Sequence, residues 1–191
     1  RFADQLTFEA REHIKKIDRT ARRMQLFIND LLTYSQVSNS EKDFQKISLS
    51  VIVHEVQNDL ETLIKERNAR VIVNNLPEIK GDKTQLTQVF QNLLSNAMKF
   101  QKDNDVPFIQ IKQEPARTVD GIEYFCISIK DNGIGFDVSN NDKIFQVFYR
   151  LHNRNEYEGT GIGLAIVRKA MENHAGRIEV KSEVGVGSCF Y

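Results

Sequence analysis

The sequence predicts an α+β fold: a two-layer sandwich of one mixed sheet with helices on one face, preceded by a long bundle-forming helix. Three observations carry this. Apolar or small residues recur at alternating spacings of three and four through Ile14, Ile17, Ala21, Met24, Ile28, Leu31 and Ser35, and then the pattern stops. Past residue 48, helical periodicity alternates with short apolar or alternating runs. Tight turns such as Asp120-Gly121 join neighbouring runs as antiparallel hairpins.

The first helix spans residues 7–37, with Arg, Lys, Glu and Asp on its other faces. So polar a helix cannot hold itself in water. Its seam must pack, either on its own domain or as one strand of a helical bundle or dimer. The regular seam and the polar stretch SNSEKDFQK after it favour the bundle. Ser50 can cap a second helix carrying Ile52, Val53, Val56, Leu60, Leu63 and Ile64 on one side. RVIV at 70–73 reads as a short strand. Asp82, followed three residues on by Gln85, starts a helix that buries Leu86, Val89, Phe90, Leu93, Leu94 and Ala97. Strands follow at 108–113 and 122–130, the second alternating Phe125, Ile127 and Ile129 against Tyr124, Cys126 and Ser128. Residues 137–159 are polar with few apolar anchors. A helix at 161–173 ends before Gly176, and 177–181 with 187–191 close a last hairpin.

Composition excludes several classes. The 191 residues carry 26 basic and 26 acidic side chains, a formal net charge of zero, so no basic field is available to hold nucleic acid. Cys126 and Cys189 stand far apart without a CxxC or Cys/His neighbour. Both are expected to be buried thiols rather than a disulfide or a zinc site. No apolar run approaches the roughly 20 residues of a membrane helix, and no signal peptide opens the chain. The chain starts without Met and stops at SCFY inside a strand-like run. It is therefore expected to be a piece of a longer, cytoplasmically working protein, itself soluble or membrane-anchored.

Three segments carry chemistry. In NLLSNAMKF, Asn92 and Asn96 share a helix face and Lys99 follows one turn on. Amide oxygens are hard ligands suited to Mg²⁺, and the lysine can meet phosphate charge. Taken alone, the same residues fit a helix with polar surface positions. In DNGIGF, Asp131 ends an apolar strand, and Gly133 and Gly135 remove side chains where the chain must turn. A carboxylate there can accept from an exocyclic amine such as adenine N6. An ordinary Asp-Asn-Gly turn reads the same way. In GTGIGLAIV, Gly159, Gly161 and Gly163 leave N–H groups uncovered at a helix N-terminus, a favoured place for phosphate oxygens. The preceding polar loop can serve as a lid over a nucleotide. In it, Arg150, His152 and Arg154 can touch phosphates or simply be exposed.

In this order and spacing, the segments resemble the boxes of the histidine-kinase branch of the Bergerat-fold (GHKL) ATPases. NLLSNAMKF is similar to the N box, DNGIGF to the G1 box, IFQVFYR to the F box and GTGIGLA to the G2 box. VGVGS resembles the terminal glycine motif, and RMQLFINDLLTYSQV resembles the second helix of the dimerisation and phosphoacceptor hairpin. Within the branch, the short lid and that helix are most similar to phytochrome-type and related soluble-sensor kinases. The resemblance implies ATP and Mg²⁺ as cofactors. By position, Asn96 would ligate Mg²⁺ with Asn92 beside it, Lys99 would contact phosphate, and Asp131 would read adenine. Gly133 and Gly135 would shape the pocket, and Gly161, Gly163 and Leu164 would lie under the phosphates. Arg150 would contact phosphate or the transition state. No Walker GxxxxGK[ST] or protein-kinase HRD and DFG element competes with this.

In the hydrolase branch a Glu stands four residues before the Mg²⁺ asparagine. Here that position is Asn92, an amide that cannot take a proton from water. The resemblance thus implies a kinase that keeps its phosphoryl group for a histidine, with onward transfer to a response-regulator aspartate. The resemblance implies an acceptor written His-Glu/Asp-x-x-x-Pro, on a helix ahead of the hairpin turn. His13 precedes Ile14, and His54 and His174 sit elsewhere, so the acceptor is expected before Arg1. The expected division is 1–38, the second hairpin helix; 39–47, a linker; and 48–191, the ATP-binding domain. Expected partners are the parent's phosphoacceptor hairpin, a response-regulator receiver domain and, for the parent, a second copy.

Overall fold

The structure, a computed structural model, describes residues 7–39, 44–103, 105–151, 157 and 159–191. In chain order its elements are α1 (Phe8–Asn39), β1 (Gln45–Ser48), α2 (Leu49–Asp59), α3 (Glu61–Glu66), β2 (Arg70–Val73), β3 (Glu78–Gly81) and α4 (Lys83–Lys99). After them come β4 (Phe108–Val119), β5 (Ile122–Asp131), α5 (Gly163–Asn173), β6 (Val180–Glu183) and β7 (Gly187–Phe190). Short 3₁₀ turns cover Val138–Asn140 and Lys143–Phe145.

Five strands form a mixed sheet in the order β2-β4-β5-β7-β6. β2 runs parallel to β4, and every other pairing is antiparallel. Asp120 and Gly121, both at positive φ (53° and 80°), make the β4–β5 turn. One face of the sheet is apolar. Ile109, Ile111 and Ile129 there join one core with Ile52, Val53 and Val56 of α2, the apolar face of α4, and Ile166 and Val167 of α5. All six α4 residues expected inside are buried, because the helix starts as its first residues dictate: the Asp82 carboxylate accepts from the Gln85 N–H at 3.0 Å. The sandwich read from the sequence is therefore the observed architecture.

Several elements differ from expectation. The span read as linker contains most of β1, which pairs antiparallel with β3, and the sequence pattern predicts neither strand. Four-residue strands carry too little periodicity to stand out; only their pairing defines them. Ser50 does not cap the second helix. Ser48 holds that position, and Ser50 Oγ instead accepts from the Leu76 N–H at 3.3 Å. The helix itself breaks at Leu60 into α2 and α3. The last helix begins at Gly163 rather than 161. Phe125 points to the helix side, in line with Ile127 and Ile129, yet it is 61% exposed because the β4–β5 hairpin runs past the helix layer. Cys126 and Cys189 are free thiols, the first buried and the second half-buried.

His174 joins both ends of this layer. Its Nδ1 lies 2.7 Å from the Ala170 carbonyl, so that nitrogen carries the proton, and Nε2 accepts from the Asp82 N–H at 2.9 Å. Phe44 stacks on the ring, with centroids 4.8 Å apart. Gly81 permits the approach, since a Cβ there would stand 3.0 Å from Nε2. The close of α5 thereby fixes the start of α4 and the approach to β1.

α1 is only partly docked. Val37 is buried, its carbonyl accepts from Asn173 Nδ2 at 2.6 Å, and Tyr34 packs on the core. The heptad seam stays in solvent, with Ile17 at 68% and Met24 at 63% exposure. Among the described residues no helix is long and apolar enough to cross a membrane.

His174→Ala strands the Asp82 N–H and removes the stacked ring. Urea denaturation is expected to show a loss of about 1–3 kcal/mol. A variant as stable as the parent chain would mean that the Asp82 contact contributes nothing.

Candidate functional site

A cavity of about 380 Å³ opens between α4, the end of β5, the start of α5 and α1. Its size suits a small-molecule ligand. Asn92, Asn96 and Lys99 project into it from one face of α4. Asn92 Nδ2 donates to the Gln88 carbonyl at 2.9 Å, which fixes the amide. Its Oδ1 then lies so near Gly163 that a Cβ there would stand 2.6 Å away. Among the described residues the Asn96 side chain has no hydrogen-bond partner, so its oxygen is available to a ligand. Lys99 Nζ lies 4.2 Å from the Phe100 ring centroid and close to Gly159.

Asp131 closes the opposite end. Its Oδ1 accepts from Gly133 N–H at 2.8 Å and from Ser188 N–H at 3.1 Å, which leaves Oδ2 to a ligand. Gly135, at φ 60°, passes so close to β6 that a Cβ would come within 1.9 Å of the Glu183 carbonyl oxygen. Of the described residues read from the three segments and Arg150, Gly133 alone does not line the cavity; its N–H donates to Asp131. Gly161, Gly163 and Leu164 line the side where α5 begins.

The segment before α5 is pinned to the sheet. Ile144 and Phe145 are buried, Phe145 lies edge-on to Phe190, and Tyr149 OH donates to Asn140 Oδ1 at 2.9 Å. Arg150 lines the cavity, but its guanidinium donates to the Gly159 and Tyr157 carbonyls and so ties the two ends of the loop together. His152 and Arg154 lie outside the described residues.

One wall was not foreseen. Leu26 and Asp30 of α1 line the cavity, and Asp30 Oδ2 accepts from Thr160 Oγ1 at 2.5 Å. Phe27 stacks on Phe148, centroids 5.3 Å apart. The only trace in the sequence is an aromatic residue and a carboxylate one turn apart and off the seam, a pattern that solvated helices share. Among the described residues no cluster of three or more His, Cys, Asp or Glu could hold a metal. A hard cation here would rely on amide oxygens and on its ligand.

Burial pushes the Asp131 carboxyl above its ordinary value of 3.8, against the lowering effect of the Gly133 and Ser188 N–H groups. A raised folded pKa means stability that is full below the ordinary value and is lost as pH rises through the shifted one. Asp131→Asn keeps an oxygen for both N–H groups and carries no charge. The variant is expected to gain stability relative to the parent chain as pH rises from about 4 to about 7. Urea midpoints across that range measure it, and a flat or inverted difference would refute the cost of the buried charge.

Known proteins carry related chains. Cyanobacterial phytochrome A from Nostoc sp. is 39% identical over 191 residues, covering 100% of this chain and 24% of that protein. The phytochrome-like protein Cph1 from Synechocystis sp. is 37% identical, covering 100% of this chain and 25% of that protein. The chain thus spans about a quarter of the length of these curated relatives. Full-length ShkA, solved in complex with AMPPNP, matches in fold with a TM-score of 0.72 at 23% identity, over 97% of this chain and 38% of that one. The family model of histidine kinase-, DNA gyrase B- and HSP90-like ATPases matches residues 81–191, more than half of the chain, and the chain belongs to that family.

Proposed function

We propose that this chain is the ATP-binding catalytic part of a two-component sensor histidine kinase, with one helix of its dimerisation hairpin. It binds Mg-ATP and passes the γ-phosphoryl group to a histidine outside this sequence, from which a response-regulator aspartate receives it. Residues 1–38 are the hairpin helix, 39–47 the connection, including most of β1, and 48–191 the catalytic domain. The exposed seam of α1 suits the missing hairpin helix and a second copy, and the site works in the cytoplasm.

Asp131 Oδ2 accepts from the adenine amine, while Gly133 and Gly135 let the base reach the backbone. Asn96 offers its unpartnered amide oxygen to Mg²⁺, with the Asn92 oxygen beside it. The ion supplies charge neutralisation on the transferring group. Lys99 adds a positive charge, and the N–H groups at the start of α5, cleared by Gly161 and Gly163 and flanked by Leu164, receive phosphate oxygens. Arg150 contacts phosphate once the loop carbonyls release its guanidinium.

The observation that carries the kinase reading over a hydrolase one is Asn92. It is an amide four residues before Asn96 on the same wall, where a proton-accepting carboxylate would be needed to activate water.

Mixed with a separately supplied phosphoacceptor hairpin and labelled ATP, the chain is expected to place an acid-labile label on the hairpin histidine and none on His13. Asp131→Asn and Asn96→Ala are each expected to weaken ATP-analogue binding about 10- to 100-fold, the scale of one lost charge-assisted or metal-bridged contact. Steady phosphate release without a hairpin, or label on His13, would overturn the assignment.

A further inference from the structure

The cavity carries a carboxylate on the side where α5 begins. Asp30 lines it together with Asn92, Asn96, Lys99 and Gly161. Its Oδ2 accepts the hydroxyl hydrogen of Thr160, and Thr160 Oγ1 in turn accepts from the Ile162 N–H at 3.3 Å, at the residue just before α5. An anion is favoured at such a place, and the same donors suit a phosphate oxygen. Among the described residues no Lys or Arg pairs with Asp30, so no ion pair cancels its charge.

A second contact from the same turn of α1 braces the arrangement. Phe27 stacks on Phe148, which holds a positive φ of 69°, and the Phe148 N–H donates to the Gly161 carbonyl at 2.9 Å. α1 therefore grips both ends of the loop that leads into α5, one end through Phe27 and the other through Asp30.

We propose that Asp30 is an internal anion that competes with the terminal phosphate of a nucleoside triphosphate, so that docking of α1 and binding of the triphosphate oppose each other. The proposal rests on the nucleotide reading of this site. Thr160 has a single hydroxyl hydrogen and cannot give it to a carboxylate and a phosphate oxygen together. Two like charges at this end of the cavity also repel. Asp131 is bonded elsewhere, to Gly133 and Ser188, so the base-reading end is untouched. The antagonism therefore grows with phosphate number: absent for adenosine, intermediate for ADP, greatest for a triphosphate. By reciprocity, the triphosphate loosens α1 as much as α1 weakens the triphosphate.

Isothermal titration of the 191-residue chain with AMPPNP, ADP and adenosine, in the presence of Mg²⁺, tests this. Asp30→Asn keeps the side-chain shape and is expected to bind AMPPNP about 3- to 10-fold tighter at low salt, with adenosine unchanged and the gain shrinking as salt is raised. Phe27→Ala, which loosens docking without altering charge, is expected to shift AMPPNP in the same direction. Saturating AMPPNP is expected to speed amide hydrogen exchange across residues 24–32. Unchanged or weaker AMPPNP binding in Asp30→Asn, with adenosine bound as before, would overturn the proposal and leave the nucleotide reading intact. Failure of all three ligands to bind any form would sink both.

Discussion

Around the Asp131 side chain three stretches of backbone meet at close quarters. The carboxylate Oδ1 gathers the N–H groups of Gly133 and Ser188, binding the end of β5 to its own turn and to β7. Ile134 N–H then reaches the Phe100 carbonyl at the end of α4, and Gly185 N–H reaches the Ile134 carbonyl. A Cβ on Gly133 would stand 2.2 Å from the Phe100 oxygen, and one on Gly187 2.3 Å from the Asp131 oxygen. Contacts this close exist only because the glycines are there. The end of the main helix, the turn and the terminal hairpin are thus set against one another. The cavity has a rigid floor at the end where a buried carboxyl waits.

The other wall is organised by helix periodicity alone. Asn92, Asn96 and Lys99 come to one face because four- and three-residue steps return a helix to the same side. Their aim depends on α4 being held at its start, where Asp82 caps it and His174 takes the Asp82 N–H. The polar groups of the site therefore rest on a histidine that does not line the cavity.

What could be read in advance divides along this line. The α4 start, the Asp120-Gly121 turn, the cavity asparagines and the glycines of both turns all declare themselves within a few residues, because caps, turns and helix faces are local. The rest depends on distant partners. Gln45–Ser48 becomes a strand only through Glu78–Gly81. His174 reads as an ordinary helix-end residue until Asp82, 92 positions away, is brought to it. Phe125 looks like a core residue by alternation but lies beyond the reach of the helices. Asp30 lies outside the heptad seam, and its partner Thr160 lies 130 positions on. α1 docks its last turns on α5 while its heptad seam faces solvent.

The anchoring of α1 has a mechanical consequence. Val37 is buried and tied to Asn173, and among the described residues the contacts of α1 reach back through Tyr34, Asp30 and Phe27 to Leu26, so the helix is held along its last turns and exposed over its first ones. Asp30 lies seven residues from that pivot, about 10 Å along the axis, whereas Phe8 lies about 44 Å from it. A tilt of about 20° about Val37 carries Asp30 some 3–4 Å, enough to part it from Thr160, while the far end sweeps about 15 Å. Run in reverse, a large and weak displacement at the free end arrives beside the cavity as a small, forceful one. The helix is geared like a long-handled lever, with its fulcrum at Val37 and its short arm resting on the end of the cavity where α5 begins.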